Sequence, residues 1–313
     1  MNLQKCLDQT KKWTRFGGEQ MKDFQYFSPG SLSEAISLAA HSGPEAALLA
    51  GGTDLVVQMK RNDRFPSCVI NLKRISEFLR IDDRQERGTL IGPLVTHHTL
   101  AESPVIREKF DFLSEAALSI GTFQIRERGT IGGNICNGSP AADTIPPLIC
   151  LGAKLRLRSS SEERVIAIED FFEGPQKTRL KSDEILTGIE IPILPPRTRG
   201  IYLKLGRRKA LEIAVVGVAV LLTLDERQMT CTGARIALAS VAPIPLPCPR
   251  AGAVLVGQKM ENKVIEQAAR VAQEESVPIS DLRGTAEYRR QMVYVLTKRA
   301  LNEVHRKIAG VNN

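Results

Sequence analysis

Two short stretches of the sequence set paired glycines among small and polar residues: Leu49-Ala50-Gly51-Gly52-Thr53-Asp54 and Thr130-Ile131-Gly132-Gly133-Asn134. Paired glycines let the backbone approach a ligand closely, because no Cβ stands in the way. Where such a pair opens a helix, unpaired amides and the positive end of the helix dipole face one point, a geometry that suits a pyrophosphate. Thr53 adds a hydroxyl donor. Asp54 has the wrong sign for a phosphate site and is better placed to accept from hydroxyls or to hold its loop. A tight structural turn would explain the first stretch alone about as well. Two such stretches in separate units suggest one long dinucleotide lying between them.

Other nucleotide and catalytic signatures are missing from the sequence. It holds no G-x-G-x-x-G, which weighs against a Rossmann site, and the stretch from Gly133 to Gly138 lacks the lysine of a P-loop. No G-x-S-x-G elbow occurs. The cysteines Cys6, Cys68, Cys136, Cys150, Cys231 and Cys248 form no C-x-x-C pair and do not cluster as iron–sulfur ligands would. They read as free, reduced thiols of a cytoplasmic protein. His97 and His98 read as neighbours on a strand, pointing to opposite faces, so one metal could not easily use both; they are taken as structural. No catalytic residue and no metal site is assigned.

The elements that must position the two turns follow from periodicity and punctuation. Phe24–Phe27 reads as a strand, Ser31-Leu32-Ser33-Glu34 as a capping box, and Ile36, Ala39 and Ala40 as a helical apolar face. Ala47–Ala50 is a buried strand running into the first turn. Thr53 is placed as the N-cap of a short helix through Met59, and Cys68–Leu72 as a further strand. This β-α-β-α-β order makes a small α/β unit. Leu79–Ile81 and Thr89–Ile91 flank a polar turn as a hairpin. Helical stretches with a Pro104 start and a Phe112, Leu113, Ala116, Ala117, Ile120 face lead to the second turn, read as a glycine loop over residues 128–134. A short helix from Asp143 to Cys150 precedes alternating strands at 155–158, 165–168 and 185–191, which gives an α+β middle unit. Pro192, Pro195, Pro196 and Gly200 mark a boundary. Strands at 202–205, 213–223 and 234–241, a proline cluster at 243–249, and helices at 262–275 and 285–308 complete the chain. In the last helix Tyr288, Met292, Val295 and Leu296 share the apolar face, with Arg289, Arg290, Lys298 and Arg299 off it.

With 313 residues the chain is long enough for two or three units, and 42% hydrophobic with 25% charged residues is ordinary for a globular protein. No apolar run approaches the roughly 20 residues of a membrane span, and the lysine-bearing N-terminus has no apolar core of a secretory signal, so a cytoplasmic location is expected. The net charge of +8 would admit nucleic acid. However, aromatics are only 5% and the basic residues are scattered, so few rings are present for bases to stack on. An anionic cofactor or an acidic partner surface accounts for the charge as well.

In order along the chain, the two turns and several further motifs carry a resemblance. Ala50-Gly51-Gly52-Thr53-Asp54 and Gln124-Ile125-Arg126 through Asn134 are followed by Ser139-Pro140-Ala141-Ala142-Asp143, Gly152-Ala153-Lys154-Leu155, Phe171-Phe172-Glu173-Gly174 and Glu184 to Pro192. Lys204, the stretch 208–216 with Ile213-Ala214-Val215-Val216, and Ala286-Glu287-Tyr288-Arg289-Arg290 complete the set. From about Phe24 to Leu301 the sequence resembles the FAD-binding medium subunits of the xanthine dehydrogenase and carbon monoxide dehydrogenase family of molybdenum hydroxylases. The resemblance implies an α+β architecture: a vanillyl-alcohol-oxidase (PCMH) type FAD-binding fold with two FAD-binding subdomains, residues 23–74 and 75–193. A C-terminal α+β domain over 194–313 would follow, and an N-terminal extension over 1–22 has no family counterpart. It implies FAD as cofactor. It also implies a large molybdopterin-binding subunit and a small [2Fe–2S] subunit as partners, and electron relay from the clusters through FAD to NAD or another acceptor. The backbones of Gly51, Gly52, Gly132 and Gly133 would line the pyrophosphate, with Thr53, Thr130 and Asn134 as side-chain donors. Asp143 would accept from a cofactor hydroxyl, Leu186 would wall the flavin or adenine, and Lys204 would sit near the flavin. Glu212 stands where many relatives carry Asp. The cysteine-rich insertion of one family branch is absent after Asn134. A free-standing flavin oxidoreductase of this fold and a non-redox accessory protein remain as alternatives.

Overall fold

The computed structural model describes residues 22–208, 211–225 and 230–310. The expected N-terminal extension lies outside them but for Lys22. The chain starts with β1 (Gln25–Phe27), α1 (Leu32–Ser42), β2 (Ala46–Leu49), α2 (Leu55–Lys60) and β3 (Cys68–Asn71). The three strands are parallel in the order β1-β3-β2, so the β-α-β-α-β reading holds. Ser31 caps α1 by accepting from the Glu34 amide at 3.3 Å, and the Glu34 carboxylate accepts from the Gly30 amide at 2.8 Å. The expected N-cap Thr53 is displaced by one: Asp54 occupies that position, with no side-chain capping bond.

The hairpin expected next is β4 (Ile81–Asp83) with β5 (Thr89–Ile91), in register Ile81 opposite Ile91. Six short helices follow: α3 (His97–Glu102), α4 (Pro104–Lys109), α5 (Asp111–Leu118), α6 (Phe123–Arg128), α7 (Ile131–Asn137) and α8 (Ile145–Cys150). Two expectations fail here. His97 and His98 begin a helix rather than sit on a strand, because Thr96 accepts from the Thr99 amide and starts the turn. The second glycine stretch is no loop: Thr130 is the N-cap of α7 and its hydroxyl accepts from the Gly133 amide. Glycines are poor helix formers, so the helix is imposed by packing; Ile131 and Ile135 are fully buried. The strands β6 (Lys154–Arg158), β7 (Glu163–Ala167) and β10 (Ile185–Ile191) join the hairpin in an antiparallel sheet of order β4-β5-β10-β6-β7, while β8 (Phe172–Gly174) and β9 (Lys177–Thr178) pair separately.

The last sheet runs β11 (Thr198–Leu205), β12 (Val216–Leu224), β13 (Cys231–Ala239) and β14 (Leu246–Pro247), all antiparallel. Gly200, expected at a boundary, lies inside β11, and β12 starts at Val216 rather than Ile213. β12 divides two cores by strand periodicity. Ala219 and Leu221 pack with the middle core of Phe112, Ile145 and Leu155. Val218, Val220 and Leu222 pack with α9 (Pro249–Leu255), α10 (Asn262–Glu275) and α11 (Ala286–Ala309). A Cβ at Gly200 would lie 2.5 Å from the Phe112 ring, so that ring packs directly on the β11 backbone. In α11 the buried side is Arg289, Val293, Leu296, Thr297, Ala300, Leu301 and Val304, and Tyr288 is 46% exposed. Arg289, expected off the apolar face, is buried because it has polar partners within reach: it donates to the Ser240 carbonyl at 2.8 Å and pairs with Asp281.

Candidate functional site

The two glycine stretches meet. A Cβ at Gly51 would lie 2.2 Å from the Arg128 carbonyl oxygen, so the first turn lies backbone to backbone against the residues that lead into α7. A cavity of about 710 Å³ opens along this junction, within the usual ligand-site range of about 300–1,000 Å³. Ala50, Gly51, Gly52, Thr53, Asp54, Thr130, Gly132, Gly133, Asn134, Asp143 and Leu186 line it. Of the residues proposed from sequence, Leu49, Ile131 and Lys204 do not. Leu49 packs beside the small core of Ala47, Leu55, Met59 and Val69, and Ile131 is wholly buried.

The four glycines differ in what they do. At Gly132 a Cβ would meet Pro93 at 2.5 Å, so Gly132, like Gly51, is required by protein packing. Gly52 has a φ of +84°, the left-handed region that glycine tolerates. At Gly133 a Cβ would meet the Thr130 hydroxyl at 2.9 Å and the Ala50 Cβ at 3.6 Å, both on the cavity wall.

The free donors are unequally shared as well. At the start of α7 the amides are taken: Ile131 donates to Val95, Gly132 to Pro93, and Gly133 to Thr130 Oγ1. In the first turn, the amides of Gly51, Gly52, Thr53, Asp54 and Leu55 have no hydrogen-bond partner among the described residues. The expectation of unpaired amides thus fits the first turn and not the second. Cations and carboxylates both stand around the junction. Lys73 and Arg128 line a smaller recess with Ala50 and Thr130, and burial followed by Arg128 lowers the Lys73 pKa. Burial raises the Asp54 pKa against the opposing hydrogen bond from Thr53. Burial thus disfavours the charged form of Asp54, while the unpaired amides of the first turn offer donors to an anion.

Asp143 also lines the cavity. Its Oδ1 accepts from the Tyr202 hydroxyl at 2.7 Å and its Oδ2 from Lys204 Nζ at 2.8 Å; Lys204 also donates to the Ser119 carbonyl at 3.0 Å. Burial raises the Asp143 pKa, and the Lys204 charge and the two hydrogen bonds oppose it. Burial, with Asp143 beside it, also raises Tyr202 well above the ordinary phenol value. The Lys204 charge is therefore engaged by a carboxylate, and β11 is tied to the middle unit. Asn134 Oδ1 accepts from the Thr144 hydroxyl at 2.8 Å, which fixes the amide orientation at the rim.

Sequence reasoning missed several wall residues. Ile120, Gly121, Thr122 and Ile125 line the cavity beside the second turn, and Leu211, Glu212 and Ile213 line it from the third sheet's connection. Thr122, which N-caps α6 by accepting from the Ile125 amide, carried a readable signal. Glu212 is held by Arg208 at 3.1 Å. His97 was taken as structural and lines the cavity. Among the described residues, no three His, Cys, Asp or Glu side chains gather where a metal could be held. None of their helices is long and apolar enough to cross a membrane.

Comparison with known proteins bears on the same residues. Residues 22–194 match the family described as FAD binding domain in molybdopterin dehydrogenase, and residues 201–304 match the CO dehydrogenase flavoprotein C-terminal domain. The chain is 36% identical to the carbon monoxide dehydrogenase medium chain of Afipia carboxidovorans, over 89% of this chain and 95% of that one. It is 32% identical to the xanthine dehydrogenase FAD-binding subunit of Escherichia coli O157:H7, over 90% and 97%. Among solved structures, reconstituted CO dehydrogenase from Oligotropha carboxidovorans superposes with a TM-score of 0.87 at 34% identity, covering 91% of this chain and 98% of that one. Quinoline 2-oxidoreductase from Pseudomonas putida 86 gives a TM-score of 0.85 at 28% identity, covering 92% and 99%.

Proposed function

The chain belongs to the family of FAD-binding subunits of molybdopterin dehydrogenases, and we propose that it serves as the electron relay of a molybdenum hydroxylase complex. It binds FAD, it is the flavoprotein subunit of an oxidoreductase, and its fold is the FAD-binding fold of that family followed by the CO dehydrogenase flavoprotein C-terminal domain. The residues present suit the cofactor: unpaired amides at Gly51 to Leu55 suit an anion, and a side chain at Gly133 would fill space between Thr130 and Ala50. In the proposal, Gly51, Gly52, Thr53 and Gly133 hold the pyrophosphate, with Thr130 and Asn134 beside them. Leu186 walls the ring systems, Asp143 accepts from a hydroxyl, and Lys204 acts through Asp143. The bound FAD supplies the redox chemistry, taking electrons from partner [2Fe–2S] clusters and passing them to NAD or another acceptor. The protein's own work is to bind, orient and shield the cofactor.

The partners in this reading are a large molybdopterin-binding subunit and a small [2Fe–2S] subunit, and the location is the cytoplasm. The names of the relatives as medium chains and subunits support the first point. The division at 74/75 and 193/194 is part of the same reading, supported by a separate main sheet in each segment, with the small β8–β9 pair also in the second. The observation that carries the proposal is the cavity of about 710 Å³ lined by both pairs of glycines. Purification of the chain from its native host, with flavin, molybdenum and iron measured together, tests it. Co-elution of all three supports the relay. FAD with neither metal, in a chain that oxidises an organic substrate alone, would replace the relay with a free-standing oxidoreductase.

A further inference from the structure

His97 sits where the two turns meet. Its backbone amide donates to the Gly129 carbonyl at 3.0 Å, which ties the start of α3 to the residue before Thr130. The residue is 2% exposed and lines the cavity. A Cβ at Gly129 would lie 3.2 Å from His97 Cδ2 and 3.6 Å from Thr53 Oγ1, so the imidazole edge and the Thr53 hydroxyl flank one point. Nε2 is bonded to Cδ2 and belongs to that edge. Nδ1, on the other side of the ring, is buried with no hydrogen-bond partner.

The protonation state follows from these surroundings. Burial first, and the Arg126 charge second, lower the His97 pKa to about 4, so the ring is neutral near pH 7. A neutral imidazole carries one proton on one of its two nitrogens. A proton on Nδ1 would leave a buried N–H unpaired, which proteins avoid more strictly than an unpaired acceptor. The proton therefore belongs on Nε2, where it is a donor at the junction. Arg126 lies close enough to His97, and Arg128 to Lys73, to act on each electrostatically, with Glu127 and Asp54 also in the region, and the amides of the first turn are unpaired among the described residues.

We propose that His97 donates its Nε2 proton to the pyrophosphate of the bound dinucleotide, extending the donor set that the amides of Gly51 to Leu55 begin. The inference rests on the FAD-binding reading above and assigns a ligand-contacting role to a residue outside both glycine motifs. It is tested by titrating FAD and ADP into the wild-type chain, His97→Phe and His97→Gln, with thermal unfolding of each apo form as the check on folding. Failure of the wild type to bind FAD would strike the cofactor reading itself. Given wild-type binding, His97→Phe is expected to weaken FAD and ADP alike by roughly ten- to a hundred-fold, the loss of a hydrogen bond to a charged group. His97→Gln, which keeps an N–H donor, is expected to recover most of that loss. Unchanged affinity in His97→Phe, or a loss confined to FAD with ADP unaffected, would overturn the assignment. Imidazole ¹⁵N shifts of the wild-type protein decide the matter even if His97→Phe does not fold. An Nε2–H tautomer whose shift responds to FAD is expected, and an Nδ1–H tautomer would overturn the proposal.

Discussion

Replacing Lys204 by Met should cost stability in the cofactor-free chain. Lys204 and Asp143 are 14% and 9% exposed at their side chains and lie 2.8 Å apart. Removing the cation leaves a buried carboxylate with only the Tyr202 hydroxyl to satisfy it, and frees the Ser119 carbonyl at the end of α5. Breaking one partner of a buried pair costs about 3–5 kcal/mol. At about 2 °C per kcal/mol for a chain of this size, the melting temperature should fall by roughly 6–10 °C. The second replacement, Asp143→Asn, removes the stranded charge, so the double variant should be more stable than Lys204→Met alone. The pH dependence carries a sign. The folded-state pKa of Asp143 is raised above 3.8, more so without Lys204, so the folded state holds its proton to higher pH than the unfolded one. That contribution favours the fold below 3.8 and is lost as pH rises through the folded-state value. The deficit of Lys204→Met should therefore shrink on acidification. Differential scanning calorimetry of the apo proteins as a function of pH, from below 3.8 up to neutrality, reads both effects. An unchanged melting temperature in Lys204→Met would show that this lysine serves the cofactor alone and that the structural argument is wrong.

Other substitutions follow from the packing. Gly200→Ala would drive a Cβ to 2.5 Å from the fully packed Phe112 ring, and a loss of about 1–3 kcal/mol is expected by chemical denaturation; a neutral result would mean the β11–α5 contact is loose. Arg289→Ala should destabilise the chain strongly, because it strips Asp281 and the Ser240 carbonyl of a buried partner. Arg299→Ala, at an exposed position of the same helix, should fall within about 0.5 kcal/mol of wild type. Equal effects from the two arginines would contradict the burial assigned to Arg289.

Much of this architecture was readable because local signals agreed. The helix Asn262–Glu275 and the strand Ile185–Ile191 were legible to the residue: the helix has a regular apolar period, and the strand is rich in isoleucine and ends at a proline. The two glycine stretches stood out in the sequence as candidate ligand segments, yet their division of labour did not. That Gly51 and Gly132 are needed against Arg128 and Pro93, leaving Gly133 on the cavity wall, depends on contacts between segments far apart in sequence. The same limit hid His97, whose place depends on how α3 meets the second turn. Arg289 misled because a charged residue reads as surface when its partners, Ser240 and Asp281, are supplied by tertiary structure. Tertiary packing also made a helix of Ile131–Asn137 against the propensity of its two glycines.

In the proposed reading, one FAD lies non-covalently between the two glycine turns. Titration calorimetry of the apo full-length chain with FAD, run beside Gly133→Val, tests it most directly. A branched side chain at Gly133 would stand between Thr130 and Ala50 on the cavity wall. One FAD per wild-type chain, released intact by acid, is expected, with little or no binding by a Gly133→Val protein whose apo form still unfolds cooperatively. Wild-type affinity in folded Gly133→Val, or flavin that stays with the acid-precipitated protein, would contradict it.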